Sequence, residues 1–183
     1  MRKKPEILAT ATIARTRLFH VESVDLRFSN GIEVQYERLR SNSAGAVLVV
    51  PMLDDDTVLL IREYSAGVDR YELGLPKGRI EPEEDLLVAA NRELMEEVGY
   101  GAHSLEHLTA LTLSPSYMNH HTQIVLARRL FEQRAEGDEP EALEVVPWKL
   151  SQLSELLRQG ECTEARSIAA LFMVRELLFG GTR

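Results

Sequence analysis

Three glutamates on one face of a predicted helix constrain this chain more than any other feature. With 100° of rotation per residue, Glu93, Glu96 and Glu97 lie at about 0°, 300° and 40° around the helix axis, so their carboxylates project together. Like charges this close raise one another's pKa values and repel unless a cation joins them. Oxygen ligands without nearby His or Cys favour Mg²⁺, or Mn²⁺, over Zn²⁺. The segment therefore predicts a magnesium site.

The surrounding residues predict that this helix rests on a core. The acidic stretch 81–85, which contains Pro82, suits a helix start, since Pro is tolerated in the first turn and acidic groups favour the positive end of the helix dipole. Gly99 and Gly101 are predicted to end the helix. An apolar stripe lies beside the acidic face and consists of Leu87, Ala90, Leu94 and Val98.

Residues 78–100 resemble the signature of the Nudix family: Gly, five residues, Glu, seven residues, then Arg-Glu-aliphatic-any-Glu-Glu-any-Gly-aliphatic. Seven fixed positions match by chance on the order of once in 10⁸ windows at average residue usage. Tyr100 departs from the usual Ile, Leu or Val, and because that residue packs, we expect local repacking and no loss of activity. The matching positions are Gly78, Glu84, Arg92, Glu93, Leu94, Glu96, Glu97 and Gly99.

The resemblance implies an enzyme that hydrolyses a nucleoside diphosphate linked to another group, with a divalent metal ion and water. Displacement at phosphorus adds negative charge to the oxygens, which metal ions offset. It further implies that Arg92 orients Glu93 or pairs with Glu84, which fixes ligand geometry, and that Gly78 lets the backbone approach the metal. The implied metal ligands are Glu93, Glu96, Glu97 and the backbone carbonyl of Lys77.

Further patterns resemble one branch of the family, the NudE-type ADP-compounds hydrolases, which are close to the ADP-ribose pyrophosphatases. This resemblance implies that ADP-ribose, diadenosine polyphosphates such as Ap3A, and NADH as a further candidate are cut with release of AMP. The patterns run nearly end to end: IREY (61–64), YELGLPKGRIEPEE (71–84), ANRELMEEVG (90–99), SPSY (114–117), GDEPE (137–141) and EARSIAALFMVRE (164–176).

Two alternatives stay open beside hydrolysis of ADP compounds. One is a non-catalytic module that senses ADP-ribose, although such modules usually lose box carboxylates and all are present here. The other is a Nudix pyrophosphatase of another nucleotide class, such as an isopentenyl-diphosphate or mRNA-cap type. Pro115, Tyr117 and the absence of a basic stripe count against the latter.

Substrate selectivity is predicted from residues outside the box. Within the family, a Pro about fifteen residues beyond the box accompanies ADP-ribose hydrolysis, and a Tyr slightly further on accompanies hydrolysis of dinucleoside polyphosphates; Pro115 and Tyr117 match these positions. Both residue types also occur in ordinary turns. Tyr64, Tyr71 and Tyr117 are candidates to stack on adenine, and each is equally compatible with a half-buried strand position. The predicted substrate contacts are Arg62, Glu63, Tyr64, Lys77, Arg79, Pro115 and Tyr117.

The general base is predicted in an acidic loop beyond the box. In the ADP-ribose relatives, a carboxylate from such a loop reaches the attacking water, and residues 136–141 lie in the corresponding place. We expect Glu139 to be this base, with a solvated turn as the alternative for any single residue of the loop. Glu93 is the alternative base within the box.

Strand and helix patterns predict an α/β fold, the Nudix α/β/α sandwich with a mixed sheet, preceded by an antiparallel N-terminal hairpin. We expect residues 1–42 to form this extension and residues 43–183 the Nudix domain. The loop Pro76-Lys77-Gly78 is expected between a strand and the box helix. The predicted strands are 19–28, 32–39, 46–53, 57–64, 71–75, 105–113, 123–130 and 143–148, and the further helices are 150–158 and 163–179.

The N-terminal hairpin and the last helix bear on assembly. A two-stranded hairpin is marginal alone, and the resemblance implies that an extension of this kind exchanges strands between subunits, so we expect a homodimer. The last helix has a broad apolar surface that we interpret as core, with a dimer interface as the alternative. This surface consists of Ile168, Leu171, Phe172, Val174 and Leu178.

Composition excludes several classes of partner. A net charge of −8 argues against a nucleic-acid polymer, whereas Arg62, Lys77 and Arg79 leave local positive charge for phosphates. The single Cys162 makes no internal disulfide. Because no run approaches 18 apolar residues and the N-terminus is unlike a signal sequence, we expect a cytoplasmic protein without membrane contact.

Overall fold

The computed structural model describes residues 3–41 and 45–180. Its strands are β1 (Glu6–Arg15), β2 (His20–Arg27), β3 (Glu33–Leu39), β4 (Ala46–Pro51), β5 (Thr57–Ser65), β6 (Arg70–Gly74), β7 (Lys77–Arg79), β8 (Tyr100–Thr112), β9 (His121–Glu132) and β10 (Glu144–Lys149). Its helices are α1 (Leu86–Glu93), continued by a π-helical turn (Leu94–Val98), α2 (Leu153–Gln159), preceded by a 3₁₀ turn (Leu150–Gln152), and α3 (Ala165–Phe179).

The described residues fall into two compact units. The first contains the described residues up to 41 together with 112–121, and the second contains residues 45–111 and 122–180. The predicted domain boundary between residues 42 and 43 lies outside the described residues. Residues 112–121, which were expected in the Nudix domain, belong to the first unit.

The first unit is a three-stranded antiparallel sheet with β2 at its centre. The predicted hairpin corresponds to β2 and β3, and the prediction of two strands was incomplete because β1 pairs along the other side of β2. Every residue of β1 is exposed, so its sequence lacks the alternation of buried and exposed positions that identifies a strand. The segment 112–121 is tied to this unit by a hydrogen bond of 2.7 Å from the Leu39 N–H to the Tyr117 carbonyl.

The second unit contains two sheets. One has the order β7-β4-β9-β8, in which β4 pairs parallel with β9 and antiparallel with β7, so the sheet is mixed as predicted. The other has the antiparallel order β10-β5-β6. Lys77 and Gly78, predicted as part of a loop with Pro76, belong to β7 instead, because their backbone pairs with β4, which is distant in the sequence.

Two apolar cores confirm the predicted α/β/α sandwich. Alternate residues of β4 enter different cores, since Leu48 and Val50 belong to one and Val47 and Val49 to the other. A strand that is buried on both faces lies between two helical layers. The first core packs against α2 and α3 and includes the predicted apolar surface of α3; the second packs against α1.

The described helices and loops complete this frame. An acidic turn joins β4 to β5, with the Asp54 carboxylate accepting hydrogen bonds from the backbone of Asp56 and Thr57 at 2.9 and 2.6 Å. Residues 133–143 form a loop without regular secondary structure between β9 and β10. Among the described helices, none is long and apolar enough to cross a membrane.

Candidate active site

The helix that carries the three glutamates begins later than predicted. The Asp85 carboxylate caps it by accepting hydrogen bonds from two backbone N–H groups of the first turn at 2.8 and 3.3 Å. Before this cap, the Glu84 carboxylate accepts a hydrogen bond of 3.0 Å from the Glu81 N–H, and Glu83 has a positive φ of 65°. This acidic stretch is therefore a turn that ends at the N-cap rather than a first helical turn.

The second half of the helix is a π-helical turn, Leu94–Val98, that carries Glu96 and Glu97. The Gly99 N–H donates to the carbonyl five residues earlier at 3.1 Å, and Gly99 has the left-handed φ of 84° that ends the helix as predicted. Gly101 lies in β8 and does not contribute to the helix end. A π turn is wider than an α turn and is frequent at functional sites, so the directions of Glu96 and Glu97 differ from those of a regular α-helix.

The Arg92 guanidinium connects the acidic groups of the box. It binds Glu84 through Nε and Nη2 at 2.9 and 3.0 Å, which makes a two-point contact. Its Nη1 donates to Glu93 at 2.8 Å and to Glu96 at 2.9 Å, and Nη2 also donates to the carbonyl of Arg79 at 2.9 Å. Both contacts expected of Arg92, with Glu84 and with Glu93, are therefore present together.

Glu93 and Glu97 are buried carboxylates with unusual pKa values. Burial raises the pKa of Glu97 to about 8, against the opposing charge of Lys77 and a hydrogen bond of 2.8 Å from the Lys77 N–H. Burial also raises the pKa of Glu93, although Arg92 opposes this effect. Glu97 is thus poorly compensated by protein charges, as expected of a ligand that shares a cation, whereas Glu93 is paired with Arg92.

Gly78 provides the space in which Glu93 lies. A Cβ atom at position 78 would overlap the carboxylate of Glu93, so any side chain here would displace that group. The neighbouring Lys77 donates from Nζ to Glu63 at 2.6 Å. The backbone of β7 therefore approaches the acidic face of the helix closely, next to a paired ammonium group.

A cleft of about 440 Å³ lies between the box and the acidic loop of residues 133–143. The loop is anchored at its start by a hydrogen bond of 3.1 Å from the Ala135 N–H to the Met95 carbonyl. Glu139 faces this cleft, and burial, Glu63 and Asp138 raise its pKa. The acidic groups that line the cleft are Glu81, Glu93, Glu96, Glu97, Glu136, Asp138 and Glu139, and the basic groups are Lys77, Arg79 and Arg92.

These donors fit a hard divalent cation. Acidic groups outnumber basic groups in the lining of the cleft, and the acidic side chains offer oxygen atoms as metal ligands. The carboxylate of the buried Glu97 accepts a backbone hydrogen bond. Within the described residues, no three His, Cys, Asp or Glu side chains are gathered closely enough to form a ready ligand set. Arg92 holds Glu93 and Glu96 on one side while Glu97 bonds to Lys77, so a cation would draw these carboxylates together.

The predicted substrate residues on β5 already have protein partners. Arg62 donates to Glu144 at 2.9 Å and to Glu161 at 2.8 Å, and Glu63 pairs with Lys77. Tyr64 is exposed, its hydroxyl donates to Asp69 at 2.6 Å, and its ring packs edge to face on that of Tyr71 at 5.6 Å. Substrate contact by these residues remains a prediction.

Pro115 and Tyr117 belong to the first compact unit. Pro115 follows Ser114, which has a positive φ of 49°, and the Tyr117 N–H donates to the Ser114 carbonyl at 2.9 Å. The Tyr117 side chain is 68% exposed, so its ring is free to contact a ligand. Its role in substrate choice likewise remains a prediction.

Sequence reasoning missed Arg134, which lines a second cavity beside the acidic loop. Arg134 lies against Gly99 and donates to the Val98 carbonyl at 3.5 Å. It belongs neither to the box pattern nor to a periodic element, so the sequence carries no local signal for it. Asp138, which was predicted only as one member of the acidic loop, lies near Glu93.

Comparison with known families agrees with this geometry. The model of the Nudix domain matches residues 43–172. The chain belongs to the Nudix hydrolase family. A model of the N-terminal domain of NudE-type Nudix hydrolases matches residues 5–38 of this Nudix hydrolase as well. Members of the family act on small nucleotide substrates and generally use divalent metal cations.

Individual relatives of this Nudix hydrolase cover nearly its whole length. The ADP compounds hydrolase NudE of Escherichia coli K12 is 50% identical over 99% of this chain and 97% of its own. The ADP-ribose pyrophosphatase of Bacillus subtilis 168 is 29% identical over 90% and 91%. A crystal structure of an ADP compounds hydrolase superposes with a TM-score of 0.92, covers 100% of this chain and 98% of its own, and is 50% identical.

Proposed function

We propose that this Nudix hydrolase cuts the pyrophosphate bond of ADP-linked compounds and releases AMP, with Mg²⁺ as its cofactor and Mn²⁺ as a substitute. The observation that carries the proposal is the position of Glu93, Glu96 and Glu97 around one acidic cleft, with the buried Glu97 poorly compensated by protein charges. The complete set of box carboxylates supports catalysis over a non-catalytic ADP-ribose sensor.

The proposed substrates are ADP-ribose, Ap3A and other diadenosine polyphosphates, and NADH. Two relatives that span this chain are named an ADP compounds hydrolase and an ADP-ribose pyrophosphatase. All of these compounds share an adenosine diphosphate part, so a site that holds this part and leaves the other group loosely bound accepts each of them. Tyr64 and Tyr117 belong to different compact units, both are exposed, and each is a separate candidate to stack on the adenine; Pro115 precedes Tyr117 in the chain.

The proposed metal ligands are the carboxylates of Glu93, Glu96 and Glu97 and the backbone carbonyl of Lys77. A divalent cation bound there lowers the pKa of water and offsets the charge that develops on the phosphate oxygens. Arg92 holds Glu93 and Glu96 in position by direct hydrogen bonds. Lys77 and Arg79 line the same cleft and supply positive charge for the phosphates.

Glu139 is the proposed general base. It lines the cleft together with the box carboxylates, and its raised pKa brings it closer to neutral pH, where a base is most effective. Glu93 is the alternative base, but its hydrogen bond to Arg92 holds it among the proposed metal ligands, whereas Glu139 lies on the loop across the cleft.

We also propose that the protein is a cytoplasmic homodimer that assembles through its N-terminal sheet. The edge strand β1 is exposed along its whole length, and it presents Ile7 and Ile13, each 51% exposed. An exposed edge with apolar side chains tends to pair with another chain. Light scattering would show twice the chain mass, and Ile7→Lys combined with Ile13→Lys would reduce it; an unchanged mass would contradict this interface.

A substrate panel tests the proposed function. The protein is incubated with Mg²⁺ and, separately, ADP-ribose, Ap3A, NADH, CoA or dGTP, and AMP is measured by chromatography. We expect AMP from the ADP-linked compounds, and none after addition of EDTA until Mg²⁺ or Mn²⁺ is restored in excess. Consumption of CoA or dGTP alone would favour another nucleotide class, and tight binding of ADP-ribose without turnover would favour a sensor.

A further inference from the structure

We propose that the Tyr71 hydroxyl and the Glu141 carboxylate form a latch that holds the acidic loop against the cleft, which makes Tyr71 a positioning residue for Glu139. The inference rests on the proposed function in one respect, the role of Glu139 as base. The hydroxyl of Tyr71 donates to Oε1 of Glu141 at 2.7 Å, and the two residues lie 70 positions apart.

Hydrogen bonds fix both ends of a short span of chain around Glu139. On one side, the Ala135 N–H is bonded to the Met95 carbonyl at 3.1 Å. On the other side is the Tyr71–Glu141 bond, which, within the described parts of the chain, is the one hydrogen bond made by residues 136–143. Without it, the next tie is the ion pair of Glu144 with Arg62 at 2.9 Å, and the untied span grows and becomes more mobile.

Tyr71 is half exposed, and its ring is held by a neighbour on the adjacent strand. It lies on β6 directly opposite Tyr64 of β5, and the two rings pack edge to face at 5.6 Å. The next residue but one along β6, Leu73, is buried in the core. Because Asp69 accepts the Tyr64 hydroxyl at 2.6 Å, the Tyr64 ring is restrained as well, and the hydroxyl of Tyr71 has a defined position.

The electrostatics of the cleft explain why such a latch is needed. Glu139 lines the cleft with Glu93, Glu96 and Glu97, and Asp138 and Glu136 add further negative charge to the same loop. Like charges at this density repel one another, so the acidic loop tends to leave the box. A neutral hydroxyl that donates to Glu141 retains the loop without adding a cation that would compete with the metal.

The latch assigns Tyr71 a role different from stacking on adenine. A stacking ring contributes its face, which Tyr71→Phe preserves, whereas a latch requires the hydroxyl. Removing the hydroxyl, or removing the acceptor by Glu141→Ala, should therefore lower kcat by about 5- to 20-fold through loss of base alignment while KM changes little. The double variant should be no slower than the slower single variant, because both changes break the same bond.

The experiment compares Tyr71→Phe, Glu141→Ala and the double variant with the unaltered protein and with Glu106→Gln, which removes a surface carboxylate paired with Arg128. Steady-state hydrolysis of ADP-ribose gives kcat and KM. Independently of activity, a Glu-specific protease reports opening of the loop through cleavage after Glu136, mapped by mass spectrometry. We expect several-fold faster cleavage there in the latch variants and no change with Glu106→Gln.

Three results would overturn the latch: cleavage after Glu136 at the unaltered rate in Tyr71→Phe, a raised KM with kcat retained, or additive losses in the double variant. Failure of the proposed function gives a different pattern, since no ADP-linked compound is then hydrolysed by any form. The protease assay still reports the latch in that case.

Discussion

Gly78 and Glu93 are in such close contact that position 78 has no room for a side chain: a Cβ atom there would overlap the Glu93 carboxylate. The contact joins β7 to α1 across 15 residues of sequence. It explains physically why a glycine stands at position 78, since the backbone passes directly beside the Glu93 carboxylate, which we propose as a metal ligand.

Substitution of Gly78 by Ala should therefore displace Glu93. We expect kcat for ADP-ribose to fall about 100-fold and the Mg²⁺ requirement to rise, because a ligand moved by about 1 Å loses its alignment. Gly67→Ala is the matched control, since no atom lies within 4 Å of a Cβ built there. Equal activity of the two variants would refute the role of this contact.

Glu97→Gln should separate activity from stability. Turnover should fall by about 100-fold or more, because a ligand charge is removed at constant shape. In the folded protein the pKa of Glu97 is about 8 against an ordinary 4.5, so the folded state holds the proton more tightly than the unfolded state. The free energy of unfolding of the unaltered protein therefore falls as pH rises from 4.5 towards 8. This fall should be absent in Glu97→Gln, because glutamine does not ionise.

In EDTA at about pH 8, we thus expect Glu97→Gln to unfold at a higher temperature than the unaltered protein, with a smaller difference at about pH 5. Added Mg²⁺ should raise the Tm of the unaltered protein and leave that of the variant nearly unchanged, because the cation stabilises the state that binds it. Calorimetry measures both effects. A variant that is less stable at every pH, or that still responds to Mg²⁺, would contradict the metal assignment.

Arg92→Lys should test the positioning of the carboxylates. Lysine keeps the charge but cannot bind Glu84 at two points while it also donates to Glu93 and Glu96. We expect a loss of about 10- to 100-fold in kcat or in Mg²⁺ affinity. Arg128→Lys, which alters a surface pair with Glu106, should behave as the unaltered protein; comparable losses in both variants would point to a nonspecific effect.

The turn at Asp54 predicts acid sensitivity away from the active site. A hydrogen bond from the Thr57 hydroxyl, with two more from the backbone, lowers the pKa of Asp54 to about 2 from 3.8. Its contribution to stability is therefore present above pH 3.8 and lost as pH falls through about 2. Asp54→Asn should lower the Tm at neutral pH, and the difference should shrink as pH falls below 3.8.

Asp55→Asn is the control for this effect, because in the described part of the chain Asp55 makes no side-chain hydrogen bond or ion pair. Thermal unfolding at a series of pH values between about 7 and 2 gives the comparison. An Asp54→Asn difference that stays constant with pH would mean that the amide disturbs the turn by its shape and not by the loss of a charge.

Local spacing was enough to predict the parts of the site that lie within one helix. Residues three and four apart meet on the same face of a helix, so the apolar stripe follows from the sequence, whereas the contacts of Arg92 with Glu84 and Glu93 were implied by the resemblance to the family signature. The sandwich also follows, because strands that are apolar at every position require a core on both faces. The start of α1 was misplaced because Glu84 and Asp85 suit a turn and a cap as well as a first turn.

Contacts between distant residues depended on the tertiary structure. The strand β1 lacks a buried face, so only its pairing with β2 identifies it. The wider backbone of the π turn changes the directions of Glu96 and Glu97. Residue types alone do not specify where such a turn forms. The contact of Gly78 with Glu93, and that of Tyr71 with Glu141, arise where separate strands, helix and loop pack together, and no periodicity in the chain specifies which atoms then meet.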